Sequence, residues 1–214
     1  MHRSGIPNKP DMDVQTLSEL RALLQTPLDF APGTQGAYHN NNYYILHLVL
    51  EQIAGQPYTR YVADHFLQPM GIADMDTQAR HPLMASGYAA LGHRGPSFPF
   101  DWNASAWAGA AGWYGSVNDL SRFLLQLRQT LSKDAWKEMY RDRLGWDRSN
   151  PGLAKGGDWG WSSSDGSGEM HSAVVMYPDD VQAAMLINSV TPRGPGDVLD
   201  QAWRDSRRAT PSGN

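Results

Sequence analysis

The spacing of apolar residues along the first two thirds of the chain predicts short amphipathic helices separated by turns. Apolar side chains recur three and four positions apart, as they do on the buried face of a helix. Residues that cap helices precede these segments, and glycine or proline follows several of them. The predicted helices cover residues 17–24, 41–54, 58–67, a segment from 116 that includes 120–127, and a segment after 132 that includes 136–140.

Start and stop signals strengthen three of these predictions. Thr16 and Glu19 have the spacing of a capping box, in which each side chain satisfies an orphan backbone N–H group. Gly55 is suited to the left-handed stop of the helix over 41–54. Ser116 is suited to cap the next helix, and Asp119 lies favourably at the positive end of its dipole.

The pattern changes to alternation near the C-terminus. Residues 170–177 alternate between apolar and polar, and the turn 178–180 separates them from a second β-rich run over 181–187, which predicts an antiparallel hairpin. Asp197 is predicted to cap a last helix that lies on this sheet, and residues 145–158 are predicted to form a loop. Helices gathered on an antiparallel sheet indicate the α+β class.

The same pattern predicts two regions and a tail. Residues 1–158 are mainly helical with long loops, 159–209 hold the hairpin and the last helix, and 210–214 form the tail. A long irregular stretch over 74–115 is typical of a functional loop or a lid. Its aromatic side chains either wall a pocket or plug the underside of the loop. They include Trp102, Trp107, Trp113 and Tyr114.

Composition narrows the function classes. The net charge is −4 with no long basic or acidic run, which argues against a nucleic acid or an anionic membrane bound through charge. No apolar stretch reaches the length needed to span a bilayer. There is no cysteine, and the seven histidines lack zinc-binding spacing, so we expect no metal or other cofactor.

A polar Tyr-x-Asn step, Tyr38-His39-Asn40, stands directly before the apolar helix over 41–54. Such a helix favours burial, and polar groups on a loop that a rigid element supports often carry chemistry. In the alternative interpretation, Asn40 only caps the helix and Tyr38 packs at its entrance. Spacing by itself leaves both interpretations open.

Six short motifs follow one another along nearly the whole chain. They are His2-Arg3-Ser4-Gly5; Pro32-Gly33-Thr34 with Tyr38-His39-Asn40; Gly55-Gln56-Pro57-Tyr58; Pro69-Met70-Gly71-Ile72; Ala111-Gly112-Trp113-Tyr114-Gly115-Ser116 with Asp119-Leu120; and Ser164-Asp165-Gly166-Ser167 before a hairpin that ends at Asn188. This order resembles the serine β-lactamase-related family, which includes class C β-lactamases, D-alanyl-D-alanine peptidases and esterases of the same fold. The resemblance implies a β-lactamase/transpeptidase-like fold and hydrolysis through an acyl-serine.

The resemblance also implies roles for individual residues. In that family a Ser-x-x-Lys helix supplies the nucleophile, a Tyr-x-Asn loop supplies a proton carrier and a substrate-orienting amide, and a Lys/His-x-Gly strand lines the far side. Tyr38 therefore resembles the proton carrier and Asn40 the orienting amide. The other implied site positions are Ser164, Asp165 and Gly166 at the third motif, Ser167 at the oxyanion hole, and Trp113 beside the substrate.

The chain departs from the family pattern in two places. It contains no Ser-x-x-Lys, so we expect the nucleophile and the first strands of the sheet to be missing. Ser164 stands where a cationic or imidazole group is expected, and Asp165 adds negative charge, which disfavours anionic β-lactam substrates. An alternative placement of the third motif, Trp159-Gly160-Trp161, stays open.

Three hypotheses for the function follow. In the first, the chain is most of a serine hydrolase for a small ester, amide or peptide, and is inactive alone because the nucleophile motif is absent. In the second, it is a non-catalytic binding module that keeps the scaffold. In the third, it is a truncated, degenerate homologue. The sequence predicts neither a compartment nor an oligomeric state.

Overall fold

Six α-helices and five β-strands make up the part of the chain that the structure describes, which confirms the α+β class. The structure is a computed structural model, and it describes residues 2–7, 16–78, 82–90, 94–98, 103–163 and 166–209. The chain divides into two compact units. The first comprises Met1–Ala79 with Asp101–Gly115, and the second comprises Arg80–Phe100 with Ser116–Asn214. The predicted boundary after residue 158 stays a prediction.

The first unit contains three α-helices, and the predicted signals mark their ends. The helices are α1 (Leu17–Leu23), α2 (Asn41–Ala54) and α3 (Tyr58–Val62), which continues as a π-helical turn over Ala63–Leu67. The Thr16 side chain accepts a hydrogen bond from the Glu19 N–H and so caps α1. Gly55 ends α2 at a φ of 66°, a left-handed conformation that favours glycine. Leu23 of α1 is buried against Tyr44 of α2.

The second unit contains the other three helices. They are α4 (Val117–Thr130), α5 (Lys133–Asp142) and α6 (Pro195–Ala209). The predicted capping of α4 is confirmed, since Ser116 and Asp119 exchange hydrogen bonds in a capping box. Ser132 caps α5, as predicted. The predicted cap of α6 at Asp197 is wrong by three residues, because Pro195 opens the helix where no N–H donor is needed and Gly194 precedes it.

The strands also belong to the second unit. They are β1 (Gly87–Ala90), β2 (Arg94–Phe98), β3 (Leu153–Ser163), β4 (Gly166–Met176) and β5 (Gln182–Ile187). β3, β4 and β5 pair antiparallel in that order, and β1 pairs antiparallel with β2. The predicted hairpin is confirmed, because β4 and β5 flank a turn at Pro178–Asp180.

β3 shows that the loop predicted over 145–158 is wrong from residue 153 onward. The sequence pattern does not indicate β3, because three of its residues are glycines. Glycine has low strand propensity and interrupts the alternation of apolar and polar residues. The three glycines are Gly156, Gly157 and Gly160. β1 and β2 likewise fall within 74–115, which was predicted to be irregular. Pairing with partner strands compensates for the weak local preference of these segments.

Helices cover both faces of the β3-β4-β5 sheet. On one face Met176 of β4 packs with Leu124 of α4. On the other face Val175, which is 0% exposed, packs with Leu199 of α6. Burying one such side chain contributes roughly 1.5–3 kcal/mol. The three strands therefore form a sandwiched layer that fixes the position of the β3–β4 hairpin within its unit.

Candidate active site

The predicted proton carrier and the predicted orienting amide are hydrogen-bonded to each other. The Tyr38 hydroxyl donates to Asn40 Oδ1 at 2.9 Å, and the Tyr38 side chain is 65% exposed. Asn40 occupies the N-cap position of α2, but its side chain makes no capping hydrogen bond. The Asn40 side chain is thus paired with the phenol, in contrast to the interpretation in which it only caps the helix. The catalytic roles of both residues stay predictions.

His39, between these two residues, anchors the loop. Its side chain is buried, with only 4% of the residue exposed. Nδ1 accepts a hydrogen bond from the Asn41 N–H at 3.0 Å, so the ring proton resides on Nε2, which donates to the Pro7 carbonyl at 2.7 Å. The imidazole therefore satisfies an amide in the first turn of α2 and holds the loop against residues 2–7. Our sequence reasoning gave His39 no role beyond its place in the motif.

His2 supports the same loop from the N-terminal segment. Its Nδ1 accepts a hydrogen bond from the His39 N–H at 3.2 Å, and its ring centroid lies 4.5 Å from that of Tyr38. The Ala37 N–H donates to the His2 carbonyl at 2.9 Å. The Tyr38 ring is therefore supported by His2, while its hydroxyl is held by Asn40.

Gly5 lets the N-terminal segment over residues 2–7 pass close to the backbone of Phe30. Its φ is 75°, and a Cβ placed there would overlap the Phe30 carbonyl oxygen. The Asp29 N–H donates to the Gly5 carbonyl at 2.8 Å, and the Gly33 N–H donates to the Arg3 carbonyl at 2.8 Å. The motif over residues 2–5 thus acts as a support for the Tyr-x-Asn loop.

A histidine–glutamate pair lies further along α2. His47 is 5% exposed; its Nδ1 accepts a hydrogen bond from the Gly109 N–H at 3.3 Å, and its Nε2 lies 3.2 Å from Glu51 Oε1. Glu51 Oε1 also accepts from the Tyr58 N–H at 2.7 Å. Burial raises the pKa of Tyr58, so its phenol stays neutral. These contacts tie α2 to α3 and to residue 109, and they make α2 a rigid support.

The aromatic residues of the long loop are used in different ways. Trp113 is half-buried, and its indole N–H donates to the Ala108 carbonyl at 2.8 Å. Trp107 packs against the core around Leu23, which is the plugging role of the two that the sequence left open. Trp102 lies outside the described residues. The proposed contact of Trp113 with a substrate stays a prediction.

The third motif follows β3 in the sequence and includes the first two residues of β4. Ser164 and Asp165 are outside the described residues. Gly166 and Ser167 begin β4, where their backbones pair with Ser163 and Ser162 of β3. Tyr38, Asn40 and Trp113 belong to the first unit and the hairpin belongs to the second. The roles of all these residues in one site stay predictions.

Metal ligands, clefts and apolar helices are three further features of the described residues that bear on function. Within them no group of three His, Asp or Glu side chains is arranged to hold a metal ion. Two clefts of about 290 and 420 Å³ lie in the second unit, and neither is lined by a predicted site residue. Among the described helices, none has the length and apolar character needed to cross a bilayer.

Comparison with known proteins decides the family. A family model described as Beta-lactamase matches residues 1–207 of the 214 residues. The chain belongs to the beta-lactamase family. The resemblance inferred from the six motifs is thereby confirmed, and membership places the chain in a family of serine hydrolases.

Solved structures of beta-lactamase-fold proteins resemble the chain at low sequence identity. D-amino acid amidase from Ochrobactrum anthropi SV3 in complex with D-phenylalanine has a TM-score of 0.66 and 16% identity, over 98% of this chain and 71% of the amidase. The octameric penicillin-binding protein homologue from Pyrococcus abyssi has a TM-score of 0.67 and 19% identity, over 98% and 55% of the two chains. The beta-lactamase/D-alanine carboxypeptidase from Yersinia pestis has a TM-score of 0.65 and 18% identity, over 95% of this chain and 67% of the carboxypeptidase. These likenesses confirm the β-lactamase/transpeptidase-like fold.

Curated relatives match over shorter segments. Protein flp of Staphylococcus aureus strain MW2 is 38% identical over 50 residues, which are 23% of this chain and 10% of flp. The matched segments span between 10% and 22% of the curated relatives' own lengths.

Proposed function

We propose that this chain is the Tyr-x-Asn-bearing part of a serine hydrolase that, in the complete protein, cleaves a small ester, amide or peptide through an acyl-serine. One observation carries the proposal. The exposed Tyr38 hydroxyl is held 2.9 Å from Asn40 Oδ1 at the start of α2. Membership of the beta-lactamase family over residues 1–207 supports it. Two solved relatives are named an amidase and a D-alanine carboxypeptidase, which supports an amide or peptide among the substrates.

Tyr38 is assigned the proton transfer. A serine hydroxyl is a poor nucleophile until a base removes its proton, and the leaving group needs that proton back. A phenol whose ring rests on His2 and whose hydroxyl is held by Asn40 is already oriented before a substrate arrives. Because Asn40 Oδ1 accepts from Tyr38, the amide N–H groups of Asn40 are assigned to the substrate carbonyl.

The nucleophile is assigned to a residue outside this sequence, because none of its serines belongs to a Ser-x-x-Lys motif. The 214-residue chain alone is therefore expected not to form an acyl-enzyme. The Ser167 N–H is assigned to the oxyanion hole, and Trp113 to the wall beside the substrate. Ser164 and Asp165 at the third motif favour a neutral substrate, since a carboxylate there repels an anionic β-lactam.

A fluorophosphonate probe, which reacts with activated serines, tests the proposal. We expect the complete protein to be labelled at the serine of a Ser-x-x-Lys motif, and the 214-residue chain alone to remain unlabelled. Heat-denatured complete protein is the control for nonspecific reaction. A complete protein that is neither labelled nor able to hydrolyse p-nitrophenyl esters would show that the hydrolase assignment is wrong.

A non-catalytic binding module is the second candidate. Two observations favour it, namely the missing Ser-x-x-Lys and the serine at position 164 where a cation or imidazole is expected. It predicts that the complete protein binds a small ester or amide and releases it unchanged. Probe labelling of the complete protein at a single serine excludes this candidate.

A further inference from the structure

A charged cluster joins β3 and β4 on the sheet face that also carries Val175. His171 Nδ1 lies 2.7 Å from Asp158 Oδ1, and His171 Nε2 lies 3.0 Å from Glu169 Oε2. Asp158 stands directly opposite His171 in the strand register, and Glu169 lies two positions along β4. The imidazole side chain is 16% exposed, so it is largely shielded from water between the two carboxylates. These three residues are called the His171 cluster below.

The geometry of the His171 cluster requires a protonated imidazole. An ionised carboxylate oxygen only accepts hydrogen bonds, so both contacts are hydrogen bonds only if both ring nitrogens carry a proton. Burial, the largest single influence, lowers the pKa of His171, but hydrogen bonds and charges from Asp158 and Glu169 together outweigh it. The pKa of His171 is therefore raised above its ordinary value of 6.5.

We propose that the His171 cluster is a pH-sensitive clamp, which holds the tip of the β3–β4 hairpin closed while His171 is protonated and loosens it when that proton passes to water. In the neutral ring one nitrogen presents a lone pair to a carboxylate oxygen that it contacts at 2.7 or 3.0 Å. One of the two attractions then becomes a repulsion, either the cross-strand contact with Asp158 or the contact with Glu169 along β4. The charge of the cluster also changes from −1 to −2, which further favours separation of its members.

The tip of the hairpin is the part that depends on this clamp. Between the cluster and the turn, Gly160, Gly166 and Gly168 supply no side chain for cross-strand packing. The first residues of β4, Gly166 and Ser167, belong to the predicted substrate-binding segment. A consequence for substrate binding therefore rests on the proposed function, whereas the clamp itself does not.

The charges around His171 define which groups can alter its titration. Opposite His171 on β5 stands Ile187, which carries no charge. Asp158 also lines the cleft of about 420 Å³, together with Lys155 and Asp197. Lys155 Nζ lies 3.1 Å from Asp147 Oδ1, so its charge is already paired. Asp158 and Glu169 are thus the charged groups that contact the imidazole, and the cleft beside Asp158 is also lined by Asp147, Arg148 and Asp197.

The direction of the pH effect follows from the raised pKa. Because the folded state binds the proton more tightly than the unfolded state, the clamp contributes fully to stability below the pKa of an unfolded histidine, about 6.5. This contribution is lost as the pH rises through the higher pKa of His171 in the folded state.

Nuclear magnetic resonance on the 214-residue chain tests the clamp in two ways. A titration of the His171 ring is expected to give a pKa above 6.5, and Asp158→Asn or Glu169→Gln is expected to lower it. Amide hydrogen exchange, corrected for its intrinsic pH dependence, is expected to accelerate at residues 158–163 and 166–171 between pH 6 and pH 9. The expected acceleration is about tenfold for each unit by which the pKa of His171 exceeds 6.5.

His171→Gln should remove this acceleration, and His65→Gln is the matched control. His65 is exposed, so its variant should keep the wild-type pH dependence. A wild-type His171 that titrates at or below 6.5 would overturn the proposal, and this measurement needs no variant to fold. Exchange at the tip that is equal at pH 6 and pH 9 in the wild type would also overturn it. Neither readout involves hydrolysis, so failure here is distinct from failure of the proposed function.

Discussion

His39 and His2 show how single residues can hold the Tyr-x-Asn loop in place through their ring nitrogens. Both ring nitrogens of His39 are occupied, one by the Asn41 N–H and the other by the Pro7 carbonyl. A buried imidazole that is satisfied at both nitrogens is a support, because it has no position left from which to exchange a proton with a substrate. In the proposed function, the groups that contact a substrate are therefore those of Tyr38 and Asn40, on either side of His39.

Replacing His39 should destabilise the first unit. In His39→Ala the Pro7 carbonyl and the Asn41 N–H lose their partner in a buried position, and each loss costs about 1–3 kcal/mol. We expect the free energy of unfolding in urea to fall by roughly 2–4 kcal/mol. The exposed His65→Ala is the control and should change it by less than about 0.5 kcal/mol. Equal effects of the two variants would contradict the anchoring role of His39.

Gly5 and Gly33 form a matched pair for the close approach of the N-terminal segment. Both have positive φ, at 75° and 83°, but only at Gly5 does a Cβ meet the Phe30 carbonyl oxygen. Gly33→Ala should cost about 1–2 kcal/mol for its backbone conformation alone. Gly5→Ala should cost clearly more, because the overlap adds to the same backbone strain. Urea denaturation checks this order, and equal losses would show that the contact with residue 30 is unimportant.

Among the elements, α6 is held on the sheet in part by Tyr177, which contacts two of its residues. The Tyr177 ring stacks on Trp203 with centroids 4.9 Å apart, and its hydroxyl donates to Asp200 Oδ1 at 2.7 Å. Arg148 Nη2 lies 2.7 Å from Asp200 Oδ2, so the guanidinium balances the charge of this carboxylate. Burial and then the hydrogen bond to Asp200 raise the pKa of Tyr177 well above its ordinary value of 10.0. The phenol is therefore neutral wherever the sheet and α6 stay packed.

This shift predicts a loss of stability in alkaline solution. The unfolded chain ionises its tyrosine near pH 10, whereas folded Tyr177 resists ionisation, so the stabilisation is present below pH 10 and is lost as the pH rises above it. Tyr177→Phe should lower the urea midpoint at pH 8 but reduce its further fall between pH 9.5 and pH 11. Tyr140→Phe, at an exposed position of α5, should leave the wild-type fall unchanged. A Tyr177 variant with an unreduced fall would contradict the assignment.

Local signals explain which elements the sequence could predict. α2 and α4 were predicted because their caps, stops and apolar faces lie within a few residues of each other along the chain. β3 was missed because its glycines disguise it and its pairing with β4 is visible only in three dimensions. The supports of the Tyr-x-Asn loop were missed for the same reason, since His2 and His39 are 37 positions apart.

For the whole molecule, the motifs divide between the two units. Tyr38, Asn40 and Trp113 belong to the first unit, and Gly166 and Ser167 belong to the second. The family match runs across both units, from residue 1 to residue 207, which supports treating the motifs as parts of one inherited arrangement. That they serve a single substrate stays a prediction, which a kinetic measurement tests directly.

The most direct measurement is the rate at which the complete protein hydrolyses p-nitrophenyl acetate, with and without the Tyr38 hydroxyl. Tyr38→Phe keeps the ring that rests on His2 and removes only the group that would carry the proton. We expect kcat to fall by about 10²–10⁴-fold while the unfolding midpoint stays unchanged. Tyr140→Phe should retain wild-type kcat. A Tyr38→Phe protein whose kcat stays within about twofold of wild type, against the loss expected for a proton carrier, would contradict the central claim.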